Sequence, residues 1–90
     1  MSDINIQDVG ELENFLQRLN DASKALDKIL NELQSQNSHL RKVWTDQRGK
    51  SFTSDVEKAL YGLTSQKRDL FDRRLPGELR RTIEWARRRG

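Results

Sequence analysis

The sequence predicts an all-α protein, a long antiparallel helical hairpin with a short third helix at its C-terminal end. Three observations favour this fold class. Leucine recurs every seven residues through the first half, proline occurs once, and charged residues (34%) are as frequent as hydrophobic ones (33%). Long helices suit this balance, because each needs only one apolar stripe. A chain of 90 residues forms a single domain with a thin core.

The first helix is predicted from about residue 9 to residue 44. Asp8 is its predicted N-cap, and Glu11 completes a capping-box pattern. Seven-residue spacing places five leucines in one line along the helix, with an apolar flank on each side. The line is Leu12, Leu19, Leu26, Leu33 and Leu40. The flanks are Phe15, Ala22, Ile29 and Val43 on one side and Val9, Leu16, Leu30 and Trp44 on the other.

Polar residues interrupt this stripe between Leu33 and Leu40. Gln36 and Asn37 stand where apolar flanking residues would otherwise be. Two interpretations are open: the helix frays near its end, or a polar side chain sets the register, as a buried Asn does in coiled coils. Fraying is the simpler interpretation, and we favour it.

A turn is predicted at residues 45–50, because Thr45, Asp46, Gly49 and Ser51 are of types that cap or interrupt helices. No proline forces a stop, so one continuous helix through this segment is the alternative. A second helix follows over about residues 51–74. Its apolar face consists of Phe52, Val56, Ala59, Leu60, Leu63, Leu70 and Phe71.

Pro76 and Gly77 predict a second break, followed by a short helix over about residues 78–88. Neither long helix can bury its stripe alone, so a hairpin is the simplest fold. Even a hairpin leaves apolar edges exposed, which predicts pairing with itself or with a related chain into a four-helix bundle. The predicted interface residues are Leu12, Leu19, Leu26, Leu33, Leu40, Trp44, Phe52, Leu63 and Leu70.

Residues for catalysis, metal binding or cofactor binding are scarce. His39 is the single histidine, and the chain has no cysteine. Glu32 and Asp46 each lie seven residues from His39, a spacing that a metal site would not normally use. No nucleophile elbow or glycine-rich phosphate loop is present. We therefore predict a non-enzymatic protein with no cofactor and no metal.

Targeting signals are also scarce. The N-terminal segment lacks a basic region followed by an apolar run, and no segment approaches the ~18 apolar residues of a membrane span. We expect a chain that is made in the cytoplasm and has no membrane span. Export by a route without a cleaved signal peptide stays open.

Charge is distributed unevenly along the chain. Residues 1–40 carry a net charge of −4, and residues 66–90 carry +5. The C-terminal arginines are either a solvated face that meets acids elsewhere in the bundle, or an anion-binding patch for nucleic acid or anionic lipid. The acidic first half favours the solvated face. The candidate anion-binding residues are Arg80, Arg81, Arg87, Arg88 and Arg89.

The segment VWTDQRGKSF, residues 43–52, resembles the turn of the WXG-type family of small helical-hairpin proteins, which are handled by type VII secretion and related systems. Trp44 matches the family's tryptophan, and Phe52 matches its apolar residue eight positions later. Asp46 stands where the family has glycine, giving W-x-D. The Y-x-x-x-D/E export element is absent, because the residue four positions after Tyr61 is Ser65 and not an acid. We expect Trp44 and Phe52 to pack across the turn.

The resemblance covers about residues 9–74. It implies a bacterial protein that forms homodimers or heterodimers and acts as a secreted effector, an adaptor, or a partner of a larger toxin or secretion component. It supports the fold and self-association more than export, because the export element is missing. The second hypothesis for function is a small nucleic-acid-binding protein that uses its arginine-rich C-terminal helix.

Overall fold

The computed structural model describes the backbone over residues 6–89 and the side chains over residues 9–88. Its elements are α1 (Ile6–Val43), α2 (Gln47–Lys67), a π-helical segment (Arg68–Arg74) and α3 (Leu75–Arg89). The first arm of the hairpin is α1. The second arm, which consists of α2, the π segment and α3, runs back along it without interruption. The molecule measures 64 × 18 × 16 Å, and the predicted all-α antiparallel hairpin is confirmed.

Ion pairs between the two arms show their antiparallel register. Residue numbers fall along one arm as they rise along the other, from the tip of the hairpin to its open end. The pairs are Arg41–Glu57 at 2.8 Å, Asp27–Lys67 at 2.7 Å and Glu13–Arg87 at 2.9 Å. Both α2 and α3 therefore pack along α1.

The first helix differs from the prediction at both ends. It is already helical at Ile6, so Asp8 lies within the helical backbone and is not its N-cap; the side chain of Asp8 lies outside the described residues. The helix stays regular to Val43, so fraying after Leu33 is wrong. Instead, the half-buried Asn37 donates from Nδ2 to the carbonyl oxygen of Thr53 at 3.0 Å, and this cross-arm bond sets the register.

The turn between the arms is shorter than predicted. Only residues 44–46 are non-helical, because residues 47–50 form the first turn of α2. The alternative of one continuous helix is therefore wrong. The physical reason for the early start is Asp46, whose side chain caps α2 and so makes a longer turn unnecessary.

The predicted break at Pro76 and Gly77 is also wrong, since α3 begins at Leu75 directly after the π segment. A proline inside a regular helix removes a hydrogen bond and clashes with the carbonyl four residues earlier. Here the preceding hydrogen bonds run to the fifth residue back, as from the Leu75 N–H to the Leu70 oxygen. Pro76 thus stands in the first turn of α3, where helices tolerate proline.

The interior of the hairpin is thin and partly polar. Thr53 is fully buried, and its hydroxyl donates to the Gly49 carbonyl at 2.9 Å, which satisfies it within its own helix. The buried apolar residues are Leu19, Leu60, Ile83 and Ala86, and the buried polar residues are Ser23, Thr53 and Lys67.

A buried ammonium joins the arms at the middle of the hairpin. Only 5% of the Lys67 side chain is exposed, and its Nζ lies 2.7 Å from Asp27 Oδ1 on α1 and 3.0 Å from Asp72 Oδ2 on the π segment. The hydroxyl of Ser23, also on α1, donates to Oδ1 of Asp72. We call Ser23, Asp27, Lys67 and Asp72 the polar clamp.

The π segment makes this clamp possible. In a regular α-helix, residues five apart are separated by roughly 140° around the axis, which would turn Asp72 away from Lys67. Hydrogen bonding to the fifth residue back brings such residues nearly above one another. Asp72 therefore shares the ammonium of Lys67 with Asp27.

Lys67 and Asp72 are held in their charged forms within the clamp. Burial acts to lower the pKa of Lys67, but hydrogen bonds to Asp27 and Asp72 outweigh it, so the pKa lies above the ordinary 10.5. The hydrogen bond from Ser23, and next that from Lys67, hold the pKa of Asp72 below the ordinary 3.8. Both shifts favour the ionised forms.

We expect the clamp to make folding stability depend on pH at both extremes. Asp72 has a lowered pKa in the folded state, so its contribution is present above the unfolded pKa and is lost as pH falls through the folded value. Lys67 has a raised pKa, so its contribution is present below about 10.5 and is lost as pH rises through the folded value. Urea unfolding at a series of pH values should show a plateau between these limits.

Two substitutions test the acid limb. Asp72→Asn should flatten the fall of unfolding free energy below about pH 4, because the group that binds the proton is gone. Asp69→Asn is the control, since Asp69 lies on the same π segment, is 51% exposed and forms a 3.6 Å pair with Arg74. Equal flattening by the two variants would contradict a specific role for Asp72.

Candidate protein-docking surface

An aromatic pair closes the tip of the hairpin, as expected. The ring centroids of Trp44 and Phe52 lie 5.7 Å apart, with the planes tilted by 40°. This distance is within the range of favourable aromatic pairs. Trp44 is half-buried and Phe52 is 50% exposed. The pair thus joins the two arms while leaving apolar surface exposed at the tip.

Gly49 provides the space for the Trp44 ring. A Cβ at this position would lie 2.5 Å from both Cγ and the carbonyl oxygen of Trp44. Gly49 has no positive φ and lies in the first helical turn of α2. The prediction that it belongs to the turn between the two arms is therefore wrong. Only a residue without a side chain lets the indole approach the helix backbone this closely.

Asp46 is the N-cap of α2. Its backbone is extended, with φ −73° and ψ 174°, and its Oδ1 accepts the N–H of Gly49 at 2.8 Å. A carboxylate at this position also interacts favourably with the positive end of the helix dipole. The aspartate of the W-x-D sequence therefore supplies a side-chain cap that a glycine would lack.

The nine predicted interface residues divide between the interior and the surface. Leu19 is buried, and its exposed fraction is 8%. The half-buried members are Leu12, Leu26, Leu40 and Trp44. The exposed members are Leu33 (45%), Phe52 (50%), Leu63 (52%) and Leu70 (38%).

The two flanks of the leucine line on α1 point in different directions. Ser23 and Asn37, which make contacts with the second arm, share the seven-residue column of Leu16 and Leu30. A polar residue in this apolar column is the sequence signal for a buried polar contact. That contact was considered for Asn37 and overlooked for Ser23. The other flank stays on the surface, with exposed fractions of 56% for Phe15, 52% for Ile29 and 64% for Val43.

The second arm shows the same division. Thr53, Leu60 and Lys67, spaced by seven, face α1 and are buried, whereas Phe52 and Leu63 are exposed beside them. At about 100° per residue, the exposed row of each arm lies roughly 60–120° from its contact row, in the same rotational sense. In an antiparallel pair, equal rotation in the same sense brings both rows to one side of the hairpin.

We call this side the apolar face. It extends over about 40 Å from Phe15 to Val43, at 1.5 Å per residue. Its members are Phe15, Ala22, Ile29, Leu33 and Val43 on α1 and Phe52, Ala59 and Leu63 on α2.

The opposite side, the polar face, carries the Arg41–Glu57 ion pair and Tyr61, which is 80% exposed. Open grooves lie along it. A groove of about 300 Å³ is lined by Gln34, Asn37, Ser38, Arg41, Glu57, Leu60, Tyr61, Thr64 and Arg68. A groove of about 490 Å³ near the open end is lined by Glu13, Leu16, Gln17, Asn20, Phe71, Asp72, Pro76 and Arg80.

The remaining predicted residues are placed as follows. His39 is exposed on α1, and over the described side chains no three His, Cys, Asp or Glu residues gather into a group that could hold a metal. None of the described helices has a stretch long and apolar enough to cross a membrane. Arg80, Arg81, Arg87 and Arg88 are exposed on α3, and the side chain of Arg89 lies outside the described residues.

Comparison with known proteins finds no matching family model, no matching curated relative and no matching solved structure.

Two glycine substitutions test the role of Gly49. Gly49→Ala should destabilise the hairpin by about 1–3 kcal/mol, because the new methyl group meets both the ring and the backbone of Trp44. Gly62→Ala is the matched control in the same helix. No atom lies within 4 Å of its Cβ position, so this change should stabilise the protein by about 0.5–1 kcal/mol. Similar thermal unfolding midpoints for the two variants would contradict this account.

Substitutions at Asp46 test the cap. Asp46→Ala should cost about 1 kcal/mol of unfolding free energy, whereas Asp46→Asn should cost little and Asp46→Gly only a few tenths. Denaturant titration followed by circular dichroism measures all three. The cap assignment fails if the alanine variant is as stable as the parent.

Proposed function

We propose that this protein is a non-enzymatic interaction module whose apolar face docks a second helical hairpin. The observation that carries the proposal is the apolar face itself, on which six large apolar side chains are between 45% and 64% exposed. Proteins that act as monomers rarely expose a contiguous apolar surface of this extent. The occupant we favour is a second copy of this chain, and a related hairpin is the alternative.

The size of the face supports a stable interface. A face about 40 Å long on a hairpin 18 Å across offers roughly 700 Å² on one side. A standard stable interface buries about 800 Å² on each partner. The two values are comparable, so docking over the whole face would suffice for a specific complex.

The arrangement of the face supports a helical partner. Ile29 and Leu33 on α1 and Leu63 on α2 form ridges at helical spacing near the middle of the hairpin. Such ridges interlock with those of another helix pair, which yields a four-helix bundle. In that bundle the exposed edges of Phe52 and Val43 at the tip would also become buried.

The resemblance of residues 43–52 to the WXG-type turn supports the biological role. On this basis we assign the protein the role of a bacterial secreted effector, adaptor, or partner of a larger secretion-associated protein or toxin. Asp46 need not count against the resemblance, because as the N-cap of α2 it supports the same hairpin.

A single charge on the apolar face should dissociate the dimer. We expect Ile29→Asp to reduce the mass measured by sedimentation equilibrium from two chains to one 10.6 kDa chain, because a carboxylate would be buried unpaired in the interface. The hairpin should keep its helicity, since Ile29 is 52% exposed and does not form its core.

The matched control is Tyr61→Asp, which adds the same charge on the polar face at a side chain that is 80% exposed. This variant should sediment like the parent. A parent that is monomeric at all concentrations up to about 1 mM would overturn the second-copy assignment. A mixed complex with a related hairpin would then be the remaining form of the proposal, and titration with that hairpin would test it.

A further inference from the structure

Every basic residue after Lys67 is an arginine. Eight of the eleven arginines follow Lys67, and none of the six lysines does. Lysine would serve equally well for solubility, whereas the planar guanidinium is suited to bidentate contact with phosphate oxygens. The composition thus indicates a geometric requirement in this segment beyond positive charge.

Seven-residue spacing arranges these arginines into two adjacent rows on the second arm. Successive members of a row are about 10.5 Å apart, so each row is about 21 Å long. One row is Arg73, Arg80 and Arg87, and the other is Arg74, Arg81 and Arg88. We call these six residues the arginine rows.

The arginine rows lie away from the apolar face. Arg87 pairs with Glu13, and Arg80 lines a groove with Glu13 and Asp72, which places the first row on the polar face. The second row is about 100° further around α3, on its outer side, because Ile83 and Ala86 occupy the side against α1. A partner on the apolar face would therefore leave both rows accessible.

Acidic partners account for only half of these arginines. Arg74 pairs with Asp69 at 3.6 Å, Arg87 with Glu13 at 2.9 Å and Arg88 with Glu84 at 3.7 Å. Among the described side chains, Arg73, Arg80 and Arg81 are exposed and form no ion pair. A solvated face whose charges are neutralised within the hairpin explains Arg74, Arg87 and Arg88. It does not explain Arg73, Arg80 and Arg81.

We propose that the arginine rows bind the phosphate backbone of double-stranded nucleic acid. Two parallel rows, each about 21 Å long on a continuous helical arm, match a polyanion whose charges are regularly spaced and fixed in geometry, which describes a duplex better than a single strand. Binding through guanidinium–phosphate contacts alone would not depend on base sequence. This proposal is independent of docking on the apolar face.

An anionic membrane is a less suitable ligand. A membrane-surface helix inserts an apolar side between lipid headgroups. The apolar side of α3 is instead packed on α1, where Ile83 is 6% and Ala86 is 4% exposed. Apart from Leu75 (38% exposed) and Trp85 (43% exposed), the exposed side chains of α3 that the structure describes are all charged. This surface is therefore suited to electrostatic contact with phosphates more than to insertion.

The test uses the full chain and a fluorescent duplex DNA of about 24 base pairs in two unrelated sequences, titrated by anisotropy from 20 to 200 mM salt. We expect equal affinity for both sequences. The plot of log association constant against log salt concentration should have a slope of about −2.7 or steeper, which corresponds to three or more phosphate contacts. The triple variant Arg73→Gln, Arg80→Gln, Arg81→Gln should bind at least about 10-fold more weakly at low salt and lose most of this slope.

The matched control is Arg48→Gln, Lys50→Gln, Lys58→Gln, which removes the same charge from exposed positions on α2 that form no ion pair with any described side chain. It should retain the parent's affinity and slope, and circular dichroism should show that both triple variants are folded. Equal loss in the two variants, no binding of duplex by the parent at 20 mM salt, or binding to phosphatidylglycerol vesicles without binding to duplex would each overturn the proposal.

Discussion

The buried ammonium of Lys67 is the contact on which the form of the second arm depends. It has one carboxylate partner on α1, Asp27, and one on its own arm, Asp72, five residues further on. That spacing requires the π segment, and the π segment in turn lets Pro76 follow in a first helical turn. Because the arm continues without a break, α3 packs along α1 and buries Ile83 and Ala86.

Polar contacts inside the hairpin have a second consequence, which concerns its surface. Ser23, Asn37 and Thr53 occupy positions between the arms that a strictly apolar design would give to leucine or valine. Buried polar groups of this kind specify register more than they add stability. The apolar residues that might have filled the interior are found on one outer side, which is the basis for the proposed docking function.

The tip and the open end of the hairpin differ in chemistry. At the tip, Gly49 admits the Trp44 ring and Asp46 caps α2, so a three-residue turn reverses the chain without positive φ angles. Towards the open end, arginines alone supply the positive charge. The proposed protein-docking face and the proposed phosphate-binding rows are separated around the hairpin axis, so the two proposals do not compete for the same side chains.

The sequence by itself determined the all-α hairpin, its turn and the Trp44–Phe52 contact, because apolar periodicity and capping residues act locally along a helix. It did not determine which apolar flank faces the second arm, that Asn37 spans the arms, or that the chain passes Pro76 without a break. These features depend on the partners of Asn37 and Lys67: Thr53 is 16 residues from Asn37, Asp27 is 40 residues from Lys67, and Asp72 reaches Lys67 only through the π register. Only the packing of one arm on the other brings those groups together, and so only the tertiary structure decided which apolar residues stay on the surface.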